Sequence, residues 1–312
     1  MTRRTLYRLF GGLGLFALIL IGVARQISPS TPPFWQSEAK AKDDTTIKWV
    51  DRSFPELKSF PKLRCESAFI VDNKAGEIIY SRNAQEVRPI ASITKLLTAL
   101  VFLETGTDLN NRTTITDEDA FESSRSRLRP GEEYTLRDLL YAALMSSDNR
   151  AARALSHSAG VPQPKFIAMM NDKARALGMD STSVVEPTGL SELNRSTAHD
   201  CAILVNSALQ NHLIRHITST ESYTINPTNR RRLVALGTTN RLLHTDLNFI
   251  GAKTGHINEA GYCIGARVVS PEGDDVTAVV LGAPSSRQRF VSLASALHWA
   301  FDVVSSTFNR NN

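Results

Sequence analysis

The chain has 312 residues, of which 42% are hydrophobic and 21% charged, and its formal net charge is +5 at neutral pH. This composition is typical of a globular protein and excludes a disordered or low-complexity chain. The sequence contains no basic helix interleaved with aromatic residues, so it predicts no nucleic-acid partner.

The first 25 residues are typical of an export segment. Arg3, Arg4 and Arg8 precede an uncharged, largely apolar stretch at 9–24, and a positive region followed by an apolar one is the plan of a secretory signal. An uncleaved anchor fits as well, because positive flanks orient both kinds of segment in the same way. We predict an exported, periplasmic protein that contacts the membrane only through residues 1–25, if these are not cleaved.

The composition changes after the export segment. Residues 26–58 are predicted to form a flexible spacer, because proline, serine and charged residues dominate its parts at 28–33 and 38–44. The folded domain is predicted at 59–306, and residues 307–312 are predicted to form a tail.

The folded domain begins with a predicted β-hairpin, whose strands lie at 67–71 and 77–80. A helix from Ser92 to Glu104 is apolar on almost every side, which predicts a position in the middle of the protein. The chain from there to about Asn211 is expected to be mainly helical.

Strands return near the end of the chain, at 249–254, 262–269 and 276–281, and a helix follows at 287–305. Strands at both ends with helices between them predict an α+β fold. We expect one antiparallel sheet, built from N- and C-terminal segments and flanked by helices, together with a mainly helical lobe.

The cysteines and histidines indicate neither a metal nor a cofactor. Cys65, Cys201 and Cys263 lack the spacing of metal ligands, and no H-E-x-x-H pattern is present. We interpret the cysteines as buried single thiols, although a disulfide between two of them stays open in an oxidising compartment.

The first of three motifs with chemical meaning is Ser92-Ile93-Thr94-Lys95. The same S-x-x-K pattern occurs at 37–40 and 59–62, so the pattern alone is weak. At 92–95 it opens the apolar helix, which places Ser92 and Lys95 one turn apart on one face. Burial lowers the pKa of a lysine, and a base for a serine hydroxyl needs such a lysine. The alternative is a capping serine and a solvent-directed lysine.

The second motif, Ser147-Asp148-Asn149, lies between two predicted helices, where polar residues are most often caps. In the functional interpretation, Ser147 relays a proton between Lys95 and the leaving amine. Asn149 would then bind a substrate amide carbonyl.

The third motif, Lys253-Thr254-Gly255, occurs once, at the end of an apolar run that predicts an edge strand. We expect Lys253 and Thr254 to hold a substrate carboxylate and Gly255 to leave room for nearby backbone. The backbone N–H groups of Ser92 and His256 are expected to form an oxyanion hole. The His256 side chain is interpreted as structural.

The three motifs in this order resemble those of penicillin-binding proteins and class A β-lactamases. Over residues 65–304 the chain looks like the low-molecular-mass D-alanyl-D-alanine peptidases of peptidase family S11. It is most similar to their endopeptidase branch, on the stretches 125–128, 186–191, 194–198 and 253–261. The resemblance implies a penicillin-binding/β-lactamase-like fold and hydrolysis of peptidoglycan peptides through an acyl-enzyme at Ser92. It also implies β-lactam antibiotics as covalent inhibitors.

Alternatives remain within this resemblance. After Gly255 the chain has room for two strands and a helix but not for the β-rich domain of many carboxypeptidases, which favours an endopeptidase. A terminal D-Ala–D-Ala bond and a D-Ala–diaminopimelate crosslink both stay open as the scissile bond. A class A-like β-lactamase would use Glu186 or Glu192 in deacylation. A non-catalytic penicillin-sensing or peptidoglycan-binding protein is the third possibility.

Overall fold

The computed structural model describes residues 49–51, 60–121 and 126–308. The predicted export segment and most of the predicted spacer lie outside these residues. In the three described ranges, no helix is both long and apolar enough to cross a membrane.

Twelve strands and eight helices are named in the described residues. The strands are β1 (Val50–Asp51), β2 (Ser67–Asp72), β3 (Glu77–Arg82), β4 (Arg88–Pro89), β5 (Arg112–Thr114), β6 (Glu133–Thr135), β7 (Arg195–Ser196), β8 (Ser222–Ile225), β9 (Val234–Gly237), β10 (Asn248–Ile257), β11 (Gly261–Val269) and β12 (Asp275–Ala283). The helices are α1 (Thr94–Glu104), α2 (Asp117–Ala120), α3 (Leu136–Leu144), α4 (Asn149–His157), α5 (Gln163–Ala176), α6 (Ala198–Gln210), α7 (His212–Thr218) and α8 (Ser286–Phe308).

The main sheet joins the two ends of the folded domain. Its strand order is β1-β3-β2-β12-β11-β10, so the N-terminal hairpin lies beside three C-terminal strands. All neighbouring pairs are antiparallel except β1 with β3. The predicted α+β fold with a sheet from both ends of the chain is confirmed, and β10 lies at the sheet edge as predicted.

The sheet separates two hydrophobic cores. Alternate residues of β2 face opposite sides: Phe69 and Val71 join the core of the helical lobe, and Ala68 and Ile70 join a smaller core under α8. Because both faces are covered, every residue of β2 is buried, which accounts for a continuous apolar run where a half-exposed strand would alternate.

The central helix α1 is buried from Thr94 to Phe102, as its apolar sequence predicts. The sequence predicted that this helix begins at Ser92, but it begins two residues later, at Thr94. Ser92 lies in a 3-10 turn from Ala91 to Ile93, where Ala91 has a left-handed φ of 48°. This turn points the chain into α1 without a side-chain cap, so the capping alternative for Ser92 is wrong.

Residues 49–51 differ from the predicted spacer at 26–58. They pair with β3 through Val50 and Asp51. The Trp49 ring packs against Phe69 at 5.3 Å and His199 at 5.4 Å between ring centroids. Burial of this aromatic surface explains why these three residues join the sheet. At the other end, α8 continues to Phe308, two residues into the predicted tail.

All three cysteines are buried and none forms a disulfide, which agrees with their interpretation as single thiols. Burial raises the pKa of Cys201 and of Cys263, so both thiols are kept protonated and unreactive.

Candidate active site

The fold brings the three sequence motifs together at one edge of the sheet. Ser92 lies in the turn before α1, the second motif connects α3 to α4, and Lys253 lies in β10. Hydrogen bonds from Lys95 to Asn149 and from Lys253 to Ser147 join the motifs directly. Segments that are more than one hundred residues apart in sequence therefore form one polar cluster.

Lys95 lies at the centre of this cluster and is only 1% exposed. Its Nζ donates to Ser92 Oγ at 2.9 Å, Asn149 Oδ1 at 2.7 Å and the Thr188 carbonyl oxygen at 2.6 Å. Burial lowers the pKa of Lys95 to about 7, against the opposing effect of the Glu186 and Asp148 carboxylates. The alternative of a solvent-directed lysine is thus wrong.

The three hydrogen-bond partners of Lys95 determine the direction of the lone pair in its neutral form. An ammonium group has three N–H donors, which match the three acceptors. After loss of one proton, the amine keeps two N–H bonds and gains a lone pair. Asn149 Oδ1 and the Thr188 carbonyl can only accept, whereas the Ser92 hydroxyl can also donate. The lone pair is therefore directed to Ser92, which is the arrangement of a general base and its nucleophile.

The second motif combines a cap with two functional side chains. Asp148 caps α4 by accepting from the Ala151 N–H, and it also accepts from Ser126 Oγ at 2.6 Å. Ser147 has a left-handed φ of 60°, which turns its hydroxyl toward Lys253. The Asn149 side-chain oxygen faces Lys95. The capping interpretation is therefore correct for Asp148, and the flanking residues are available for chemistry.

Lys253 is the second buried lysine, with 1% exposure. Its Nζ donates to Ser147 Oγ at 2.8 Å and to the Thr254 carbonyl oxygen at 3.0 Å. Burial and, next, the charge of Lys95 hold the pKa of Lys253 well below its usual range. The structure therefore pairs Ser147 with Lys253, whereas the sequence predicted that Ser147 relays a proton between Lys95 and the leaving amine.

Thr254 and Gly255 have different local roles. The Thr254 hydroxyl donates to Thr239 Oγ1 at 2.6 Å, and Thr239 was missed because it belongs to no motif. A Cβ on Gly255 would lie 2.9 Å from the backbone nitrogen of Ser92 and 3.0 Å from the carbonyl oxygen of Ile90. The backbone for which Gly255 leaves room is thus the 3-10 turn at Ala91–Ile93, which carries Ser92 and is called the nucleophile turn below.

His256 follows on β10 and pairs with Tyr262 of β11. Its side chain is exposed, and its ring lies 3.9 Å from the Tyr262 ring between centroids. The oxyanion-hole role of its backbone N–H stays a prediction.

Arg289 donates hydrogen bonds to the backbone of β10 and β11 next to the site, and it was not singled out in the sequence. This α8 residue is 6% exposed, and its Nη1 donates to the carbonyl oxygens of Gly255 at 3.0 Å and Cys263 at 3.3 Å. Burial lowers the pKa of Arg289 to about 10. Nothing in the sequence distinguishes it from Arg287, two residues earlier in the same helix.

The loop at 186–194 supplies a further contact that sequence reasoning missed, the Thr188 carbonyl on Lys95. No side-chain pattern reveals a backbone acceptor. Glu186, considered as the deacylating base of a β-lactamase, accepts hydrogen bonds from Thr188, Gly189 and Asn194 of its own loop. Its oxygens are therefore occupied, and Glu192 is exposed.

Comparison with known protein families gives one match over most of the chain. The family described as D-alanyl-D-alanine carboxypeptidase, peptidase S11, matches residues 55–285. The chain is 37% identical to the D-alanyl-D-alanine endopeptidase of Escherichia coli K12, over 77% of this chain and 78% of the relative. It is also 37% identical to the D-alanyl-D-alanine endopeptidase of Pseudomonas aeruginosa PAO1, over 80% of this chain and 82% of the relative.

Solved structures show the same fold. The DD-transpeptidase of Streptomyces K15 superimposes with a TM-score of 0.74 at 27% identity, over 78% of this chain and all of that one. A D-alanyl-D-alanine carboxypeptidase of Mycobacterium tuberculosis gives a TM-score of 0.72 at 27% identity, over 80% of this chain and 95% of that one. The expected penicillin-binding type of α+β fold is confirmed.

Proposed function

The chain belongs to the D-alanyl-D-alanine carboxypeptidase family of peptidase S11, and we propose that it is a serine D-alanyl-D-alanine endopeptidase acting through Ser92. The observation that carries the serine chemistry is Lys95, a buried amine whose two fixed acceptors direct its lone pair to the Ser92 hydroxyl. The choice of endopeptidase rests on the relatives of that name in two organisms.

Acylation begins at the Ser92 hydroxyl. Ser92 Oγ attacks the carbonyl carbon of the D-alanyl residue, and its proton passes to Lys95 Nζ. The N–H groups of Ser92 and His256 stabilise the oxyanion. The Asn149 side-chain oxygen is held by Lys95, which leaves its Nδ2 group to donate to a substrate amide carbonyl.

Collapse of the tetrahedral intermediate breaks the C–N bond and releases the amine. Ser147 gives its hydroxyl proton to that amine and receives one from the Lys253 ammonium, with which it already shares a hydrogen bond. A substrate carboxylate beside Lys253 raises the pKa of this lysine, because an opposite charge favours the ammonium form. Substrate binding thus causes Lys253 to take up the proton that Ser147 passes to the leaving amine.

Hydrolysis of the acyl-enzyme reverses these transfers. Water attacks the ester carbonyl while its proton passes through Ser147 to the neutral Lys253 amine. The Lys95 ammonium returns its proton to Ser92 Oγ as the ester C–O bond breaks. Both lysines regain their starting forms and the D-alanyl product leaves with a free carboxyl group.

The type of relative supports a proposal for the substrates and the location. We propose that the protein cleaves peptidoglycan peptides in the periplasm, which it reaches through the export segment at 1–25. That segment would also tether it to the membrane if uncleaved. β-Lactams would acylate the same serine, since their strained amide presents a carbonyl to Ser92.

A fluorescent penicillin tests this function on the full-length chain. We expect label that survives denaturation on the wild type and on Ser59→Ala, which alters another S-x-x-K serine, but none on Ser92→Ala. Digestion of crosslinked muropeptides is then expected to yield monomers with the terminal D-alanine of pentapeptides intact. Loss of that D-alanine without crosslink cleavage would make the protein a carboxypeptidase. A folded protein that neither keeps label nor consumes penicillin would refute the serine chemistry.

A further inference from the structure

The loop at 186–194 is folded around one carboxylate. Oε2 of Glu186 accepts from the Thr188 N–H at 2.7 Å and the Thr188 hydroxyl at 2.6 Å. Oε1 accepts from the Gly189 N–H at 2.6 Å, Asn194 Nδ2 at 2.9 Å and, more weakly, the Ser191 N–H at 3.4 Å. Charge-assisted hydrogen bonds of this kind are stronger than neutral ones, so Glu186 fixes the loop backbone.

The fixed backbone in turn contacts the nucleophile and its base. The Thr188 carbonyl accepts from Lys95 at 2.6 Å, and the Pro187 carbonyl accepts from the Thr98 hydroxyl one turn further along α1. Gly189 has a φ of 81°, and a Cβ there would lie 2.0 Å from the Ala91 carbonyl oxygen, beside Ser92. A change in the shape of this loop would therefore move the Lys95 acceptor and the Ser92 turn together.

We propose that Glu186 is a positioning residue for Lys95, acting by folding the 186–194 loop so that the Thr188 carbonyl holds the amine with its lone pair toward Ser92. This inference rests on the proposed serine chemistry and deepens it. Among the described residues, the hydrogen bonds of Glu186 are all to its own loop, so Glu186 acts through Thr188. Its charge has a second effect, because a carboxylate near Lys95 raises the pKa of that lysine.

Glu186→Gln tests both effects while keeping the length of the side chain. Its amide nitrogen cannot accept, so at least one set of loop N–H donors loses its partner. We expect acylation by the fluorescent penicillin to be at least about tenfold slower at its optimal pH, since small errors in position cost large factors in rate. Loss of the negative charge lowers the pKa of Lys95, so the acidic limb of the acylation-rate profile should move to lower pH.

Glu192→Gln is the matched control, because Glu192 is an exposed carboxylate in the same loop, and it should behave as the wild type. A merely structural Glu186 would lower the rate without moving the acidic limb. Wild-type acylation by Glu186→Gln with an unmoved limb would overturn the proposal. Normal acylation with a long-lived acyl-enzyme would also overturn it and make Glu186 a deacylating base. If the wild type itself takes no label, the serine chemistry has failed instead.

A second variant covers the case in which Glu186→Gln does not fold. Thr188→Val removes the hydroxyl that donates to Glu186 but retains the β-branched shape and the carboxylate charge. We expect slower acylation with the acidic limb unmoved, because only the positional effect is lost. Wild-type acylation by folded Thr188→Val would contradict the positioning role.

Discussion

Ser147 combines an unfavourable backbone conformation with a hydroxyl that contacts Lys253. Its φ of 60° lies in the left-handed region, which costs a residue other than glycine or asparagine roughly 1–2 kcal/mol. Glycine would occupy this position without that cost. Retention of serine is therefore consistent with a hydroxyl that serves the reaction, since strained residues concentrate at functional sites.

Two substitutions separate these features of Ser147. Both Ser147→Ala and Ser147→Gly remove the hydroxyl and should lower the turnover of muropeptide substrate by about 100-fold or more, as expected for loss of a proton-transfer group. Ser147→Gly should be about 1 kcal/mol more stable toward urea than Ser147→Ala, because glycine accepts the left-handed φ. Equal stability would contradict the strain assigned here, and undiminished turnover would remove Ser147 from the reaction.

At the scale of elements, the nucleophile turn is enclosed by two glycines from different parts of the chain. Gly189 approaches it from the 186–194 loop and Gly255 from the edge strand β10. Both contacts are with backbone atoms at 90–92, which cannot move aside as a flexible side chain would. The position of Ser92 is thus set by loop, strand and α1 together.

Alanine substitutions measure how tightly the turn is enclosed. Gly189→Ala adds both a backbone overlap and a left-handed alanine, so we expect a loss of roughly 3 kcal/mol or more in the free energy of unfolding. Gly255→Ala has no unfavourable φ and should cost less stability, but it should slow penicillin acylation by displacing Ser92. Gly237→Ala on β9 meets no atom within 4 Å and serves as control. Urea denaturation and labelling rates on the three variants would test this order, and equal effects at all three positions would contradict it.

The sequence predicted those elements whose signal is local. The β2–β3 hairpin was evident because apolar strands flank Asn73-Lys74-Ala75-Gly76, and α1 because it has no polar face. The three motifs singled out Ser92, Lys95 and Lys253, and the structure brings these residues into one polar cluster. In contrast, the Thr188 carbonyl and the pairing of Ser147 with Lys253 depend on how distant segments meet, which no local pattern contains. Trp49 was placed in the spacer for the same reason, since its partners Phe69 and His199 lie far along the chain.

At the scale of the whole molecule, the arrangement of the sheet and the helices buries two lysines, Lys95 and Lys253. Strands from both ends of the domain place β10 beside the helical lobe, so that Lys95 of α1 and Lys253 of β10 are buried in one polar cluster. Buried charges of like sign destabilise the folded state. The protein therefore accepts a stability cost in order to keep an amine in its neutral form at the nucleophile.

This cost predicts how stability depends on pH. The pKa of Lys95 is about 7 in the folded protein, against 10.5 for an ordinary lysine, and the pKa of Lys253 is lowered as well. Between these values the unfolded chain binds more protons than the folded one, so stability rises with pH, by up to about 1.4 kcal/mol per pH unit for each proton. We expect urea denaturation to show a higher free energy of unfolding at pH 8.5 than at pH 7.

Buried thiols act in the opposite direction and set the upper end of this rise. Burial raises the pKa of Cys201 and Cys263 above the ordinary thiol value of 9.0, so above that pH the folded protein binds more protons and loses stability. The two effects together predict a maximum near pH 9. Lys95→Met should make the rise between pH 7 and 8.5 less steep, because only Lys253 then contributes, whereas Lys165→Met, at an exposed position of α5, should retain the full rise. An unchanged slope in Lys95→Met would show that Lys95 is charged in the folded protein at neutral pH, and the neutral-base assignment would fail with it.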